Sequence, residues 1–224
     1  DNLWTRANFA RLAPGMDWSL FFAAAGLGQQ QAFVAWQPDA VKGVAALLAS
    51  QPLPVWKDYL RVRLIAVHAD VLPRAFAEQA LALRSAASGG QPPDARTQRA
   101  MRATQSALSD AVGRMYVDRH FPAEHKARVQ AIATNVIAAF RQRVEAVTWM
   151  SPETKAVALA KLKTVYFGIG YPEQWRDHSG LFLSTTDAVG NLQRIADWNY
   201  RQALARLGRP VDRAEWAVAP QWPG

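Results

Sequence analysis

The chain of 224 residues contains no cysteine. That excludes disulfides, thiolate metal sites and a cysteine nucleophile, and it is compatible with either redox compartment. Histidine is also scarce, with His68, His120, His125 and His178 the full set. No two of them have the four-residue spacing that projects both rings from one helix face onto a zinc ion. His120 and His125 in RHFPAEH are five apart with Pro122 between them. Glu124 adds a carboxylate, but a corner between two helices accounts for this cluster better than a metal does. His68 and His178 read as ordinary surface residues. No catalytic residue and no metal ligand is assigned in this chain, and its substrate-binding residues are left unassigned.

Long apolar runs are missing as well. Nothing approaches the roughly 18–20 uninterrupted apolar residues of a membrane span, and the opening DNLWTRANFARL lacks the basic-then-apolar layout of a signal peptide. The nucleophile elbow G-x-S-x-G and the phosphate loop G-x-x-x-x-G-K-[ST] are both absent. GIG at Gly168 to Gly170 is too short for a dinucleotide fingerprint and runs into a Tyr-Pro turn instead of a helix.

What the sequence does have is charge of one sign, at net +8 with a pI near 10.2. Most of the basic residues are arginines interleaved with acids along helical segments, which describes a solvated face and not a nucleic-acid interface. Acid pairs such as Asp212 and Glu215 are common in the chain and read as surface groups. Nine tryptophans suggest packing more than ligand binding, with Trp18, Trp56, Trp149 and Trp198 expected at helical core positions.

The dominant period is helical. Val129, Ile132, Val136, Ile137, Phe140, Val144 and Val147 recur at three- and four-residue steps, predicting one long helix from Pro122 with a buried stripe. A second helix is expected from Pro54 to Val71, with Trp56, Leu60, Leu64, Val67 and Val71 on one face, and a third from Arg74 to Ser88. SGGQPPD at Ser88 to Asp94 reads as a connection, after which helix resumes from Ala95 to Arg119. Ser151-Pro152-Glu153 is a helix start, since the hydroxyl caps, the proline fits the first turn and the acid suits the dipole. That helix should reach Lys163. TVYFGIGYP fits a short extended segment and a turn. A last helix is expected from Asp187 to Leu207, with Gly208 closing it in the left-handed conformation. With no internal repeat or flexible linker, the economical reading is one mainly α multi-helix domain over residues 1–224 with at most a few short strands.

The stretch WMSPETKAVALAKLKTVYFGIGYPEQWRD, Trp149 to Asp177, resembles the neprilysin and endothelin-converting-enzyme family of zinc metallopeptidases. A W-M-[SD]-x-x-T-K block, an A-x-x-K helix and an I-G-Y-P turn follow in family order at Trp149, Met150, Ser151, Thr154, Lys155, Ala158, Lys161 and Ile169 to Pro172. DWSLFFAAAGL from Asp17, PLPVWKDYLRVRLI from Pro52, GRMYVDRHFPAEHKARV from Gly113 and LARLGRPVDRAEW from Leu204 also fall in order. The resemblance implies a two-lobed peptidase in which this chain is the helical lobe that caps a catalytic zinc lobe. It implies zinc in the parent protein and none in this chain, peptide substrates, no nucleic acid, and an extracytoplasmic location. The H-E-x-x-H motif is not found, so no catalytic residue is carried over. The chain is expected to be truncated at both ends: it begins after a helical segment whose arginine is thought to hold the substrate's C-terminal carboxylate. It departs from the family at Trp222, before an expected N-A-Y strand. The alternative is a helical peptide- or protein-binding module without peptidase activity.

Overall fold

The computed structural model describes residues 2–88, 96–216 and 218–221. Among them are ten α-helices and a single two-stranded antiparallel sheet. The mainly helical class read from the sequence therefore holds. The connection read at Ser88 to Asp94 lies almost wholly outside the described residues. Two compact units, Asp1–Gln91 and Pro92–Gly224, divide the chain.

In the first unit, β1 (Leu3–Thr5) pairs with β2 (Ala32–Val34), placing Leu3 opposite Val34, Trp4 opposite Phe33 and Thr5 opposite Ala32. The alternation of a strand turns Trp4 inward, where it is buried, and leaves its neighbours exposed. Helix α1 (Arg6–Leu12) starts at a capping box in which the Thr5 hydroxyl accepts from the Asn8 amide and the Asn8 side chain accepts from the Thr5 amide. Asp17 caps α2 (Trp18–Ala24) by accepting from the Leu20 amide at 2.9 Å. These caps aim Phe9 and Phe22 into one cluster. Phe9 meets Trp4, Trp18, Phe22 and Phe33 at centroid distances of 5.0, 4.9, 5.2 and 5.5 Å, and Phe22 stacks on Phe33 at 4.5 Å. Each such pair adds about 0.5–1.5 kcal/mol beyond its buried area, which makes this knot the firmest part of the unit. Gly15, at φ 112°, lets the chain approach the backbone of α3 (Pro38–Ser50) beside the buried Ala45.

Helix α4 (Leu53–His68) passes into a 3-10 turn (Ala69–Val71) before α5 (Arg74–Ser88). The predicted shared face on α4 is not a core. Leu60, Leu64 and Val67 are exposed, Trp56 is half-buried, and α4 has no buried residue. Its main packing is against α5 and the 3-10 turn, so amphipathic spacing here marks an apolar face and no covered one.

In the second unit the helix expected from Ala95 to Arg119 is two helices, α6 (Arg96–Ala107) and α7 (Ser109–His120). Leu108 breaks it at φ −126°, ψ 42°, and the carbonyl of Ser109, the first residue of α7, accepts from Gln221 Nε2 at 3.0 Å. Pro122, the predicted start of the next helix, stands at the N-cap position of α8 (Ala123–Ala146) with no side-chain capping bond, and Ser151 caps α9 (Pro152–Leu162) as its sequence indicates. The α8 stripe is only partly buried. Val144 is buried, but Ile132 and Val136 are 61% and 58% exposed, and Val129 and Phe140 are exposed too. Packing on α9 covers one side of the helix, and the apolar side chains extend around more than that side. Residues 165–169 form no strand, so the short extended segment expected there does not pair into a sheet. Helix α10 (Ala188–Leu204) ends three residues short of the predicted Leu207, with Gly208 at φ 76° closing the turns that follow.

Candidate functional site

The segment that carries the strongest motif builds a clamp on the second unit. At its start the Ser151 hydroxyl accepts from the Thr154 amide at 3.3 Å, and Lys155 Nζ donates to the Glu145 carbonyl at 3.0 Å, closing the corner between α8 and α9. The Glu153 carboxyl is held below its ordinary pKa by its own backbone amide and then by the Ser151 side chain. Trp149 sits in the bend before this corner and is 77% exposed, not in the core position expected of it. It follows the end of α8, outside any helix, so helical periodicity did not apply to it.

At the other end the I-G-Y-P turn is pinned from below. Lys126, in the first turn of α8, is 6% exposed. Its Nζ donates to the Tyr171 carbonyl at 2.8 Å and to Glu173 Oε1 at 2.6 Å, and lies 4.2 Å from the Tyr171 ring centroid. A buried ammonium is tolerable only with such partners. Gly170 stands at φ 71° against the Phe121 ring, so glycine is needed both for the conformation and for the space. Gly168 lies under the indole of Trp216.

This turn is one wall of a cleft of about 730 Å³. Pro172 to Arg176 face residues from the end of α10 and the segment after it, among them Arg206, Arg209, Asp212, Glu215 and Trp216. The cleft thus gathers the pair Asp212 and Glu215, yet neither is poised for acid–base chemistry. Asp212 accepts from the Ala214 amide at 2.8 Å, and Glu215 is ion-paired with Arg206. Arg176 Nε lies 3.3 Å from Asp110 Oδ2, with its guanidinium 5.7 Å from the Trp198 ring.

The histidines stay apart chemically. His68 Nδ1 lies 2.9 Å from the Leu64 carbonyl, His120 packs on Tyr116 at 4.8 Å, and His125 on Phe121 at 6.1 Å. His178 is half-buried and stacks on Trp198 at 5.1 Å, so it is a packing residue and not the surface residue its loop position suggested. Trp18 and Trp198 do pack as expected. Among the described residues no group of three acids or histidines is arranged to hold a metal. The residues present do not fit a zinc site.

The clamp and the cleft were not legible as a site, since Lys126 and Glu173 are 47 positions apart. The available signal was weak: Glu173 directly follows the I-G-Y-P turn, and Lys126 lies one helical turn past Pro122.

A sequence model described as Peptidase family M13 matches residues 1–172. The chain belongs to peptidase family M13. This M13 chain is 26% identical to human endothelin-converting enzyme-like 1 over 86% of its own length and 26% of that protein's. It is 28% identical to the neutral endopeptidase of Lactobacillus helveticus over 72% of its length and 25% of that protein's. The fold superposes on the Mycobacterium tuberculosis zinc metalloprotease Zmp1 in its open state with a TM-score of 0.87 and 36% identity, covering 99% of this chain and 35% of that one. The inhibitor complex of Zmp1 gives a TM-score of 0.84 over 98% of this chain. The M13 chain therefore spans between a quarter and about a third of the length of these relatives.

Proposed function

We propose that residues 1–224 are the non-catalytic helical lobe of an M13 zinc metalloendopeptidase that cleaves peptides and is extracytoplasmic. The observation that carries this is the superposition of nearly the whole chain on about a third of a zinc metalloprotease at 36% identity. In this reading zinc is held outside these residues, whose histidines are each engaged by a different neighbour. Bound zinc would supply an activated water. The lobe's own contribution is steric: helices tied at capped corners and by a buried lysine form walls that admit flexible peptides and hold back folded proteins.

The test is on the full-length protein. It should cleave an unstructured peptide, lose that activity to a chelator and regain it with zinc. The same cleavage sequence placed in a loop of a rigid folded protein should be cut at least tenfold more slowly. Cleavage indifferent to chelator would sink the zinc reading, and equal rates on both substrates would sink the steric one. Cell fractionation tests the location, and a cytoplasmic protein would refute it.

A further inference from the structure

We propose that α4 is an interior helix of the parent protein, covered on two opposite sides by polypeptide that lies outside residues 1–224. This rests on the reading of the chain as one lobe of a longer peptidase.

Helix α4 has 16 residues, of which Trp56 and His68 are half-buried and every other is exposed. A helix of that length is marginal alone, because most helical stability in proteins comes from packing an apolar face. The apolar residues of α4 do not form a single face. At about 100° per residue, Leu53, Leu60, Leu64 and Val67 fall on one side, and Val55, Tyr59 and Val62 on the opposite one. Lys57, Asp58 and Arg61 separate the two along one flank, where Arg61 pairs with Asp58 at 2.8 Å. Both sides are bare: Leu64 is 58% exposed and Val62 is 62% exposed. A helix apolar on opposite sides has the composition of a helix inside a protein, not of one at its surface.

The two sides together select the cover. A second copy of the chain, or the surface of a bilayer, approaches a helix from one direction and leaves the far side in water. Crossing a bilayer would cover both, but no helix among the described residues is long and apolar enough for that, and the Lys57 to Arg61 flank would carry charge into hydrocarbon. Layers of the protein's own chain on either side cover both apolar sides and leave the charged flank facing water. Relatives have the chain to supply them, since the match spans 35% of Zmp1 and 26% and 25% of the other two proteins compared above. Helix α8 does not select in this way, because its exposed Val129, Ile132, Val136 and Phe140 share a single side.

Residues 1–224 contain no cysteine, so an introduced one can report on each side. In the full-length protein, Leu64→Cys and Val62→Cys place a thiol on either side of α4. Asp39→Cys places one on α3 where the native side chain is 98% exposed. Each variant is treated with N-ethylmaleimide, natively and in urea, and the modified position is read by peptide mass spectrometry. Hydroxyl-radical footprinting at Leu60 and Tyr59 of the unsubstituted protein repeats the test on the same two sides without a substitution. A variant that has lost its native circular dichroism is set aside, and the footprint then decides.

Both α4 thiols should react roughly tenfold or more slowly in the native protein than in urea, as positions open only by unfolding do. Asp39→Cys should react at nearly the same rate in both. Leu60 and Tyr59 should be protected likewise, and protection should be the same at two protein concentrations a hundredfold apart. A native rate equal to the urea rate on either side overturns the proposal, because that side then faces solvent. Protection lost on dilution assigns the cover to a second copy and also overturns it. Zinc-dependent cleavage by a protein with either side open would leave the peptidase reading standing and remove the interior helix. Protection of both sides without zinc-dependent cleavage would do the reverse.

Discussion

Lys126 is a cation with almost no access to water, and the free energy of that arrangement depends wholly on its three partners. Lys126→Met keeps the stem and deletes the charge, leaving the Tyr171 carbonyl without its donor. Urea denaturation should show a loss of about 2 kcal/mol, the scale of a charged hydrogen bond. No change in midpoint would mean that the clamp is not made in solution. Gly170→Ala should be at least as costly: the left-handed conformation alone costs a side chain about 1–2 kcal/mol, and the added methyl meets the Phe121 ring. A variant as stable as the parent would refute the turn geometry. These two residues also mark the limit of sequence reading. Ser151 as a cap and Gly208 as a left-handed closure were legible because their physics is local, within one helical turn. Lys126 was not, because a lysine's burial is decided by groups 45 and 47 positions away.

The N-terminus of α10 offers a pH-sensitive test of a single element. Asp187 accepts from the Gly190 amide at 2.9 Å and pairs with Arg194 at 3.0 Å, and the amide first, then the arginine, hold its carboxyl below the ordinary 3.8. A carboxyl whose folded pKa is lowered adds stability above its unfolded pKa and loses it as pH falls through the folded one. Amide exchange at Gly190 should therefore show less protection, relative to mid-helix amides, as pH drops below about 4. Asp187→Asn, which still caps but cannot titrate, should flatten that dependence; an unchanged profile would show that the carboxylate is not responsible. Helix α8 tests a different point, the gap between periodicity and burial. The spacing of Val129, Ile132, Val136 and Phe140 satisfies a helix face, yet only Val144 at the far end is buried. Ile132→Gln should shift stability by no more than about 0.5 kcal/mol, whereas Val144→Ala should cost about 1–2 kcal/mol. Equal costs would mean that the stripe is covered after all. Period identifies which residues share a side; only tertiary packing decides whether anything sits on it.

At the scale of the whole chain, motif order made the family legible, and the match over residues 1–172 agrees with it. The division into two units at residue 91 falls within SGGQPPD, the Gly- and Pro-rich connection read from the sequence, but the helical pattern continues on both sides, so the connection was legible and its role as a boundary between units was not. Two whole-chain properties also oppose each other. A net charge of +8 keeps copies apart, while the exposed apolar side chains of α4 and α8 favour association. Salt acts on the first and not in the same sense on the second. The screening length falls from roughly 30 Å at 0.01 M to 3 Å at 1 M, which removes the repulsion between copies while leaving apolar attraction in place. Light scattering by the 224-residue chain at pH 7 should accordingly rise with sodium chloride over that range. Replacing Ile132 and Val136 by Gln, which leaves the net charge at +8, should suppress the rise without lowering stability. If scattering instead falls with salt, association is electrostatic, and the apolar faces of these helices play no part in it.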